Sequence, residues 1–470
     1  MLGKILNNLK KYPEDECYQI NRRIYKNRDL YKYVCNIYHY LLGNCSYQDR
    51  IAVCGHKEIY MVASFLACSF AGMAYVPIDI SIPAGRKEKI IKQVHPGLVI
   101  DSGINEVMDK DAFEEISDIF LKPDDLFYII YTSGSSGEPK GVQIAYRNLI
   151  SCMDWLVKIC DVSNDIILNQ ANYSFDLSVA DIYLSLLTRS RHYIIERDTQ
   201  RDFPMLFSEL KKSGSGLAVM TPSYAEYLMA DKSFDHELMP DLKTILFCGE
   251  NLSGKTAEKL YDRFPGLRII NCYGPTECTF AVTGNIVDPG EKISIGLPKD
   301  DVDIYIVDEN LEPVNDNEIG EIVVTGESVG KGYVDKELNK GVFITFMGKN
   351  AYVTGDLACR ENGKLYFIGR KDRQIKYKGF RVELPEIEKA LDGLDYIEKA
   401  VVTTKVNEEG TVNRIIAFVM LKEDCVHNIQ DIRKHLGESL PDYMMPVIKI
   451  VDRFPLDDNG KLDERILMKE

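Results

Sequence analysis

Short apolar runs recur along the chain with polar, helix-like stretches between them. RIAVCG (Arg50–Gly55), LVID (Leu98–Asp101), FYIIYT (Phe127–Thr132), HYIIE (His192–Glu196), LAVMTP (Leu217–Pro222) and TILFCG (Thr244–Gly249) have the texture of strands buried on both faces. Glu58–Gly72, Asp181–Thr188 and Ser253–Phe264 read as helices between some of them. That alternation predicts a largely parallel α/β sheet. After Ile293 the pattern changes: VDIYIVDENLEPV and GEIVVTG, with turn residues between, predict antiparallel strands. A third texture starts near Asp372. There LPEIEKALDGL, KAVVTTKV, RIIAFVML and IQDIRKHLGESL alternate and predict a small α+β domain. The chain thus divides into 1–371 and 372–470.

One stretch tests this reading. Ile59–Ile78 carries no charge and is roughly as long as a bilayer-spanning helix. Its small residues, with Gly72 and Pro77, favour a buried helix, a turn at Gly72 and a buried strand ending at Pro77. No stable membrane insertion is expected.

Composition narrows the function classes. The 470 residues are too many for one ordinary domain, and 45% apolar with 27% charged residues is a globular balance. A formal net charge of -15 argues against nucleic acid as a partner, because phosphate neutralisation needs clustered cations. Twelve cysteines without a C-x-x-C pair disfavour a zinc ribbon or a dithiol redox motif. The opening MLGKILNNLKKYPEDE turns polar too soon for a secretory signal, so reduced thiols and a cytoplasmic location are expected.

Chemistry concentrates first in YIIYTSGSSGEPKGVQI, Tyr128–Ile144. A Walker loop needs lysine directly after its last glycine and a hydroxyl after the lysine. Here Gly137 is followed by Glu138-Pro139-Lys140-Gly141, so the loop fails that test. The ingredients of another phosphate cradle remain: small residues that expose backbone N–H groups, the hydroxyls of Thr132, Ser133, Ser135 and Ser136, and the Lys140 charge.

YTSGSSGEPKGV resembles the signature loop of the adenylate-forming superfamily, which includes acyl-CoA synthetases, luciferases and amino-acid adenylation domains. AGMAYVPID (Ala71–Asp79) precedes it. SFDLSVADIY (Ser174–Tyr183), NCYGPTE (Asn271–Glu277), YVTGD (Tyr352–Asp356), GRKDRQIKYKGFRVEL (Gly369–Leu384) and NGKLD (Asn459–Asp463) follow in the family's order. The colinear set spans almost the whole chain. It implies a large N-terminal adenylate-forming domain of α/β sheets plus a distorted β-barrel, with a small C-terminal α+β domain. DISIPAGR, LNQANYSFDLSVADIY, TPSYAEYLMADKSF, LFCGENL and TFAVTG are most similar to the stand-alone ligases that load D-alanine onto a carrier protein.

The resemblance implies roles. Thr132, Ser133, Gly134, Ser135, Ser136 and Lys140 would cradle the β- and γ-phosphates of ATP. With Asn271 also on the nucleotide side, Tyr273 would stack on adenine, Thr276 would bind the α-phosphate and Glu277 would help hold Mg²⁺. Asp356 would accept both ribose hydroxyls, and Arg370 would meet the ribose or phosphate side. Lys461 would bridge substrate carboxylate and α-phosphate during adenylation. No general base is needed, since the attacking carboxylate is already ionised. Asp372 would be the hinge of the small domain, and the loop around Gly379 would face the incoming phosphopantetheine.

Asp176 resembles the carboxylate that grips an α-amino group, which favours an amino acid over an acyl chain; a helix N-cap is its other reading. Leu177, Ala180, Val219, Leu246, Cys248, Cys272, Phe280 and Ala281 would line the side-chain pocket. Cys248 matches a cysteine that looks characteristic of D-alanine ligases. Ala180, Cys272 and Phe280 stand where those enzymes carry Met, Thr and Val, so pocket volume stays open, and with it glycine, serine and L-alanine. The implied function is D-alanine activation to D-alanyl-AMP and transfer to a phosphopantetheinylated carrier protein, for teichoic-acid D-alanylation. A natural-product adenylation enzyme for another small amino acid is the alternative. Lys376, Lys378 and Arg381 could meet an acidic carrier, or form a solvated face.

Overall fold

The computed structural model describes residues 1–111, 113–134, 137–407, 412–422, 425, 427–455 and 467. It divides into two compact units. The larger holds Met1–Ile80, Ile91–Thr132 and Lys140–Asp372; the smaller holds Ser81–Ile90, Ser133–Pro139 and Arg373–Glu470.

Two α/β sheets fill most of the larger unit. In the first, the parallel strands Arg268–Tyr273, Thr244–Phe247, Leu217–Met220, Ile166–Asn169 and Arg191–Ile194 lie side by side. Antiparallel strands Thr283–Ile286 and Leu297–Pro298 extend one edge, and the hairpin Glu16–Ile20/Arg23–Lys26 extends the other. The second sheet sets Arg50–Gly55 between Leu98–Ile100 and Ala74–Asp79, then adds Leu126–Thr132 and the antiparallel Lys140–Ala145. Near-continuous apolar strands are what such doubly covered sheets require. From Val302 to Arg370 the pairing is antiparallel. Val302–Val307, Gly320–Gly326, Lys349–Glu361 and Phe343–Phe346 lie in order, with Lys364–Arg370 paired to Lys349–Glu361.

The uncharged segment folds as a fully buried helix, Ile59–Phe70, a left-handed Gly72 (φ +74°) and a buried strand, Ala74–Asp79. That strand runs two residues past Pro77, because its parallel partner stays in register up to the Gly55–Asp79 pair. No helix among the described residues is long and apolar enough to cross a membrane. The helix expected from Asp181 starts earlier, at Leu177. A tight turn initiates it, with Phe175 and Asp176 carbonyls accepting from the N–H groups of Ser178 and Val179.

In the smaller unit Ile397–Val406, Val412–Leu421 and Val447–Ile450 form a sheet covered by Leu384–Asp392 and Ile429–Leu436. The hairpin Gln374–Tyr377/Phe380–Glu383 turns through Lys378 (φ +52°) and Gly379 (φ +82°). Two consecutive positive φ values fit a type I′ connection, whose twist matches that of paired strands.

Candidate active site

The glycine-serine loop joins two strands that close in register at the Thr132–Lys140 pair. Thr132 Oγ1 is buried and finds no hydrogen-bond partner among the described residues. Lys140 is half-buried. Within the smaller unit Ser133 Oγ donates to the Arg381 carbonyl (2.8 Å), and Gly134 N–H donates to Glu386 Oε2 (3.1 Å). Glu386 also takes the Arg86 guanidinium, and both side chains are buried. Gly137 is left-handed (φ +78°), and a Cβ there would sit 2.8 Å from Lys389 Cδ. Ser135 and Ser136 lie outside the described residues. Neither Arg86 nor Glu386 was singled out from sequence; an acidic residue in a first helical turn is too common to stand out.

The carboxyl end of strand Arg268–Tyr273 carries the next group. Asn271 Nδ2 donates to the Ser294 carbonyl at 2.9 Å. Tyr273 O–H donates to Asp356 Oδ2 at 2.6 Å, with both residues almost wholly buried. Burial, then the Asp356 charge, pushes the Tyr273 phenol well above its ordinary value, so it stays a donor. Asp356 also receives the Arg370 guanidinium, and its backbone N–H donates to Thr354 Oγ1 (3.0 Å). Arg370 continues outward, meeting Asp372 through Nε (2.7 Å) and Nη2 (2.8 Å). Asp372 is the last residue of the larger unit.

After Tyr273 the chain turns at Gly274, where a Cβ would lie 2.5 Å from Ala281 Cα, so no other residue fits without moving backbone. One short turn, Thr276–Cys278, follows. Thr276 is buried and Glu277 fully so. Glu277 Oε1 accepts from Tyr333 O–H at 2.5 Å, and its carbonyl accepts from Gly330 N–H at 2.9 Å. Tyr333 O–H lies 3.3 Å from Tyr352 O–H. Sequence reading missed Tyr333: a tyrosine in GKGYVD carries no periodic signal.

Asp176 heads helix Leu177–Thr188 with helical dihedrals, and its side chain makes no cap hydrogen bond. The capping alternative therefore does not describe it. The eight apolar residues expected around a substrate side chain, from Leu177 to Ala281, are all buried in one contact cluster. Val219 and Leu246 are register partners on neighbouring strands. The Cys248 thiol donates to the Phe280 carbonyl at 3.7 Å. Thr279 (φ +59°) and Phe280 (φ +70°) are consecutive non-glycine residues in the left-handed region, a costly conformation concentrated at functional sites. Burial pushes the Cys272 thiol well up, so it packs as a neutral group.

Behind the helix, Asn169 Nδ2 donates to Asp181 Oδ2 (2.7 Å), and His192 Nε2 stands 3.2 Å from Asp181 Oδ1. The buried Lys57 ammonium reaches the Gln170 (2.8 Å) and Ile195 (3.0 Å) carbonyls, and burial pulls its pKa down to about 7. Of the cations considered for carrier docking, Arg381 turns its Nε to Gln374 Oε1 (2.8 Å), and Lys378 lies over the Tyr377 ring. Lys376 sits in the first strand of that hairpin. Lys461 lies outside the described residues.

Residues 6–334 match the AMP-binding enzyme family, and residues 386–461 match the AMP-binding enzyme C-terminal domain. A D-alanine--D-alanyl carrier protein ligase of Bacillus licheniformis is 39% identical over 446 residues, 89% of each chain. One of Bacillus mycoides is 39% identical over 452 residues, 90% of each. Among solved structures, the Vibrio cholerae adenylation domain AlmE in complex with glycyl-adenosine-5'-phosphate aligns with a TM-score of 0.87. That alignment covers 100% of this chain and 97% of the other at 20% identity, and it speaks to the fold alone.

Proposed function

The chain belongs to the AMP-binding enzyme family, and from that premise we propose that it activates D-alanine with ATP and loads it onto a carrier protein. The observation that carries the reading is the placement of Asp176. An anionic side chain heads the helix whose next residues, Leu177 and Ala180, belong to the buried apolar set. A carboxylate beside a set of buried apolar side chains suits an α-ammonium with a short side chain, and an acyl chain offers it nothing to bind. The relatives at 38–39% identity over about 90% of their length bear the name of D-alanine ligases, which supports the same substrate.

In the first step a D-alanine carboxylate oxygen attacks the α-phosphorus of ATP. That P–O bond forms as the bond to the bridging oxygen breaks, and pyrophosphate leaves with the electron pair. Thr132, Ser133, Gly134, Ser135, Ser136 and Lys140 would surround the departing phosphates, and Thr276 the α-phosphate. Asn271 and Tyr273 would border the adenine. Asp356 and Arg370 would hold the ribose, with Asp356 already buried among donors as an acceptor-only side chain must be. Glu277, a buried hard-oxygen donor, fits Mg²⁺, a cation that usually takes one or two protein carboxylates plus substrate phosphates. When bound, Mg²⁺ supplies charge neutralisation on those phosphates.

In the second step the thiol of a phosphopantetheine arm attacks the acyl carbon of D-alanyl-AMP. The C–S bond forms as the acyl C–O bond to the phosphate breaks; AMP leaves with the electron pair, and the thiol proton is released to solvent. The division of the chain after Asp372 supports the hinge assigned there, and the turn at Gly379 would face the arm. An acidic carrier, teichoic-acid D-alanylation as the destination, and a cytoplasmic site where ATP and reduced thiols are available complete the reading.

ATP–pyrophosphate exchange tests it with D-alanine, L-alanine, glycine and serine. D-alanine should give the highest kcat/KM, and exchange with L-amino acids alone would overturn the assignment. Lys461→Ala should suppress exchange on the order of 10²–10³-fold, the usual effect of losing one preorganised charge donor. Unchanged exchange would remove Lys461 from the mechanism.

A further inference from the structure

We infer that Tyr333 is a positioning residue for Glu277, setting the plane of its carboxylate toward the magnesium–triphosphate; this rests on the reading of Glu277 given above. Glu277 is fully buried, and a buried carboxylate takes the orientation its hydrogen-bond donors impose. The Tyr333 phenol donates to it at 2.5 Å, the short end of the range for such bonds.

Tyr333 is itself held from three sides. Its N–H donates to Asn339 Oδ1 (2.8 Å), and its carbonyl accepts from Gln143 Nε2 (3.0 Å). The Phe343 ring packs edge-on against its own, with centroids 5.4 Å apart. The neighbouring backbone is laced to strand Lys140–Ala145: Lys331 N–H meets the Gln143 carbonyl (2.8 Å), and Val334 N–H meets that of Gly141 (2.8 Å). This strand begins at Lys140 of the phosphate-loop motif. Tyr333 therefore references the Glu277 carboxylate to the strand that bears a phosphate-side lysine. A purely space-filling tyrosine would not need its hydroxyl aimed at a fully buried carboxyl group.

The test is Tyr333→Phe in the full-length protein, which keeps the ring contact and removes only the hydroxyl. Mn²⁺ is titrated by electron paramagnetic resonance in the presence of α,β-methylene-ATP, with Glu277→Gln alongside. Y333F should weaken Mn²⁺ binding about tenfold, the lower end of what losing an outer hydrogen bond to a metal ligand does. AMP binding in metal-free buffer and the KM for D-alanine should not move. Asn339→Ala, which loosens Tyr333 from its backbone side, should shift the titration the same way by a smaller factor. It serves as the readout if Y333F yields no folded protein. An unchanged Y333F titration with a weakened E277Q one overturns the role of Tyr333 and leaves Glu277 standing. Unchanged titrations in both overturn the reading of Glu277 and this inference with it. Equal weakening of metal-free AMP binding by Y333F overturns the inference by placing the effect on the nucleotide pocket.

Discussion

The phenol of Tyr273 donates a 2.6 Å hydrogen bond to Asp356, 83 residues further along the chain, where neither is exposed to water. One side chain proposed to border adenine is thus braced by another proposed to hold ribose. Tyr273→Phe keeps the ring and removes one donor from Asp356. Leaving a buried acceptor short of a partner costs about 1–3 kcal/mol. Urea denaturation should show that loss, while AMP affinity falls far less than in Tyr273→Ala. Similar AMP affinity in the two variants would remove the ring from the nucleotide site.

Arg86 and Glu386 form a buried ion pair within the smaller unit. Arg86→Met strands the carboxylate, and breaking such a pair on one side costs about 3–5 kcal/mol. Hydrogen exchange should show the loss in the smaller unit. Adding Glu386→Met should recover part of it, because two apolar side chains replace a buried pair at little cost. No recovery would mean that Glu386 owes its place to Gly134 more than to Arg86.

Lys57 makes stability depend on pH in a definite direction. Its folded pKa of about 7 lies below the ordinary 10.5, the result of burial only partly offset by the Asp181, Asp79 and Glu196 charges. The unfolded chain binds the extra proton between these values, so stability rises with pH from about 7 toward 10.5, with a gain on the order of a few kcal/mol. Below about pH 7 the penalty is full and constant. Lys57→Met leaves the Gln170 and Ile195 carbonyls without that donor at every pH, which lowers stability but flattens the slope. Melting temperatures of both proteins from pH 7 to 10 check this; parallel curves would assign the slope elsewhere.

Asp176→Asn keeps the size of the side chain and removes its charge. A hydrogen bond to a charged group is worth about 1.5–3 kcal/mol, so kcat/KM for D-alanine should fall roughly 10- to 100-fold. The KM for ATP should hold within about twofold, since uniform loss of nucleotide binding is not expected. A larger effect on ATP than on D-alanine would place Asp176 outside the amino-acid site.

Much of the fold was legible because it is local. The run RIAVCG became strand Arg50–Gly55 without adjustment, and GEIVVTG became Gly320–Gly326. Pro77 misled by two residues: a proline is a strong stop for a helix, but a registered parallel neighbour carried the strand on to Asp79. The motifs pointed to Tyr273, Asp356 and Arg370, and the fold brings these three together. What the pattern could not reveal is pairing at a distance. Tyr333 and Glu277 are 56 residues apart, and Arg86 and Glu386 are 300 apart. No period links such partners, and each side chain alone resembles an ordinary surface residue. Lys57 is the sharper case, since nothing in GHKEIY singles out its lysine, which lies 1% exposed.

The near-contact of Gly274 with Ala281 has a consequence for altering substrate range. The segment beside the proposed adenine site and the wall beside the proposed alanine methyl touch backbone to backbone, with no side chain between to absorb a shift. Enlarging the amino-acid pocket by displacing Phe280 and Ala281 would therefore press on the turn after Tyr273. Variants selected for bulkier amino acids should arrive with altered ATP dependence, and second-site changes that restore it should cluster in residues 271–277 rather than in the phosphate loop.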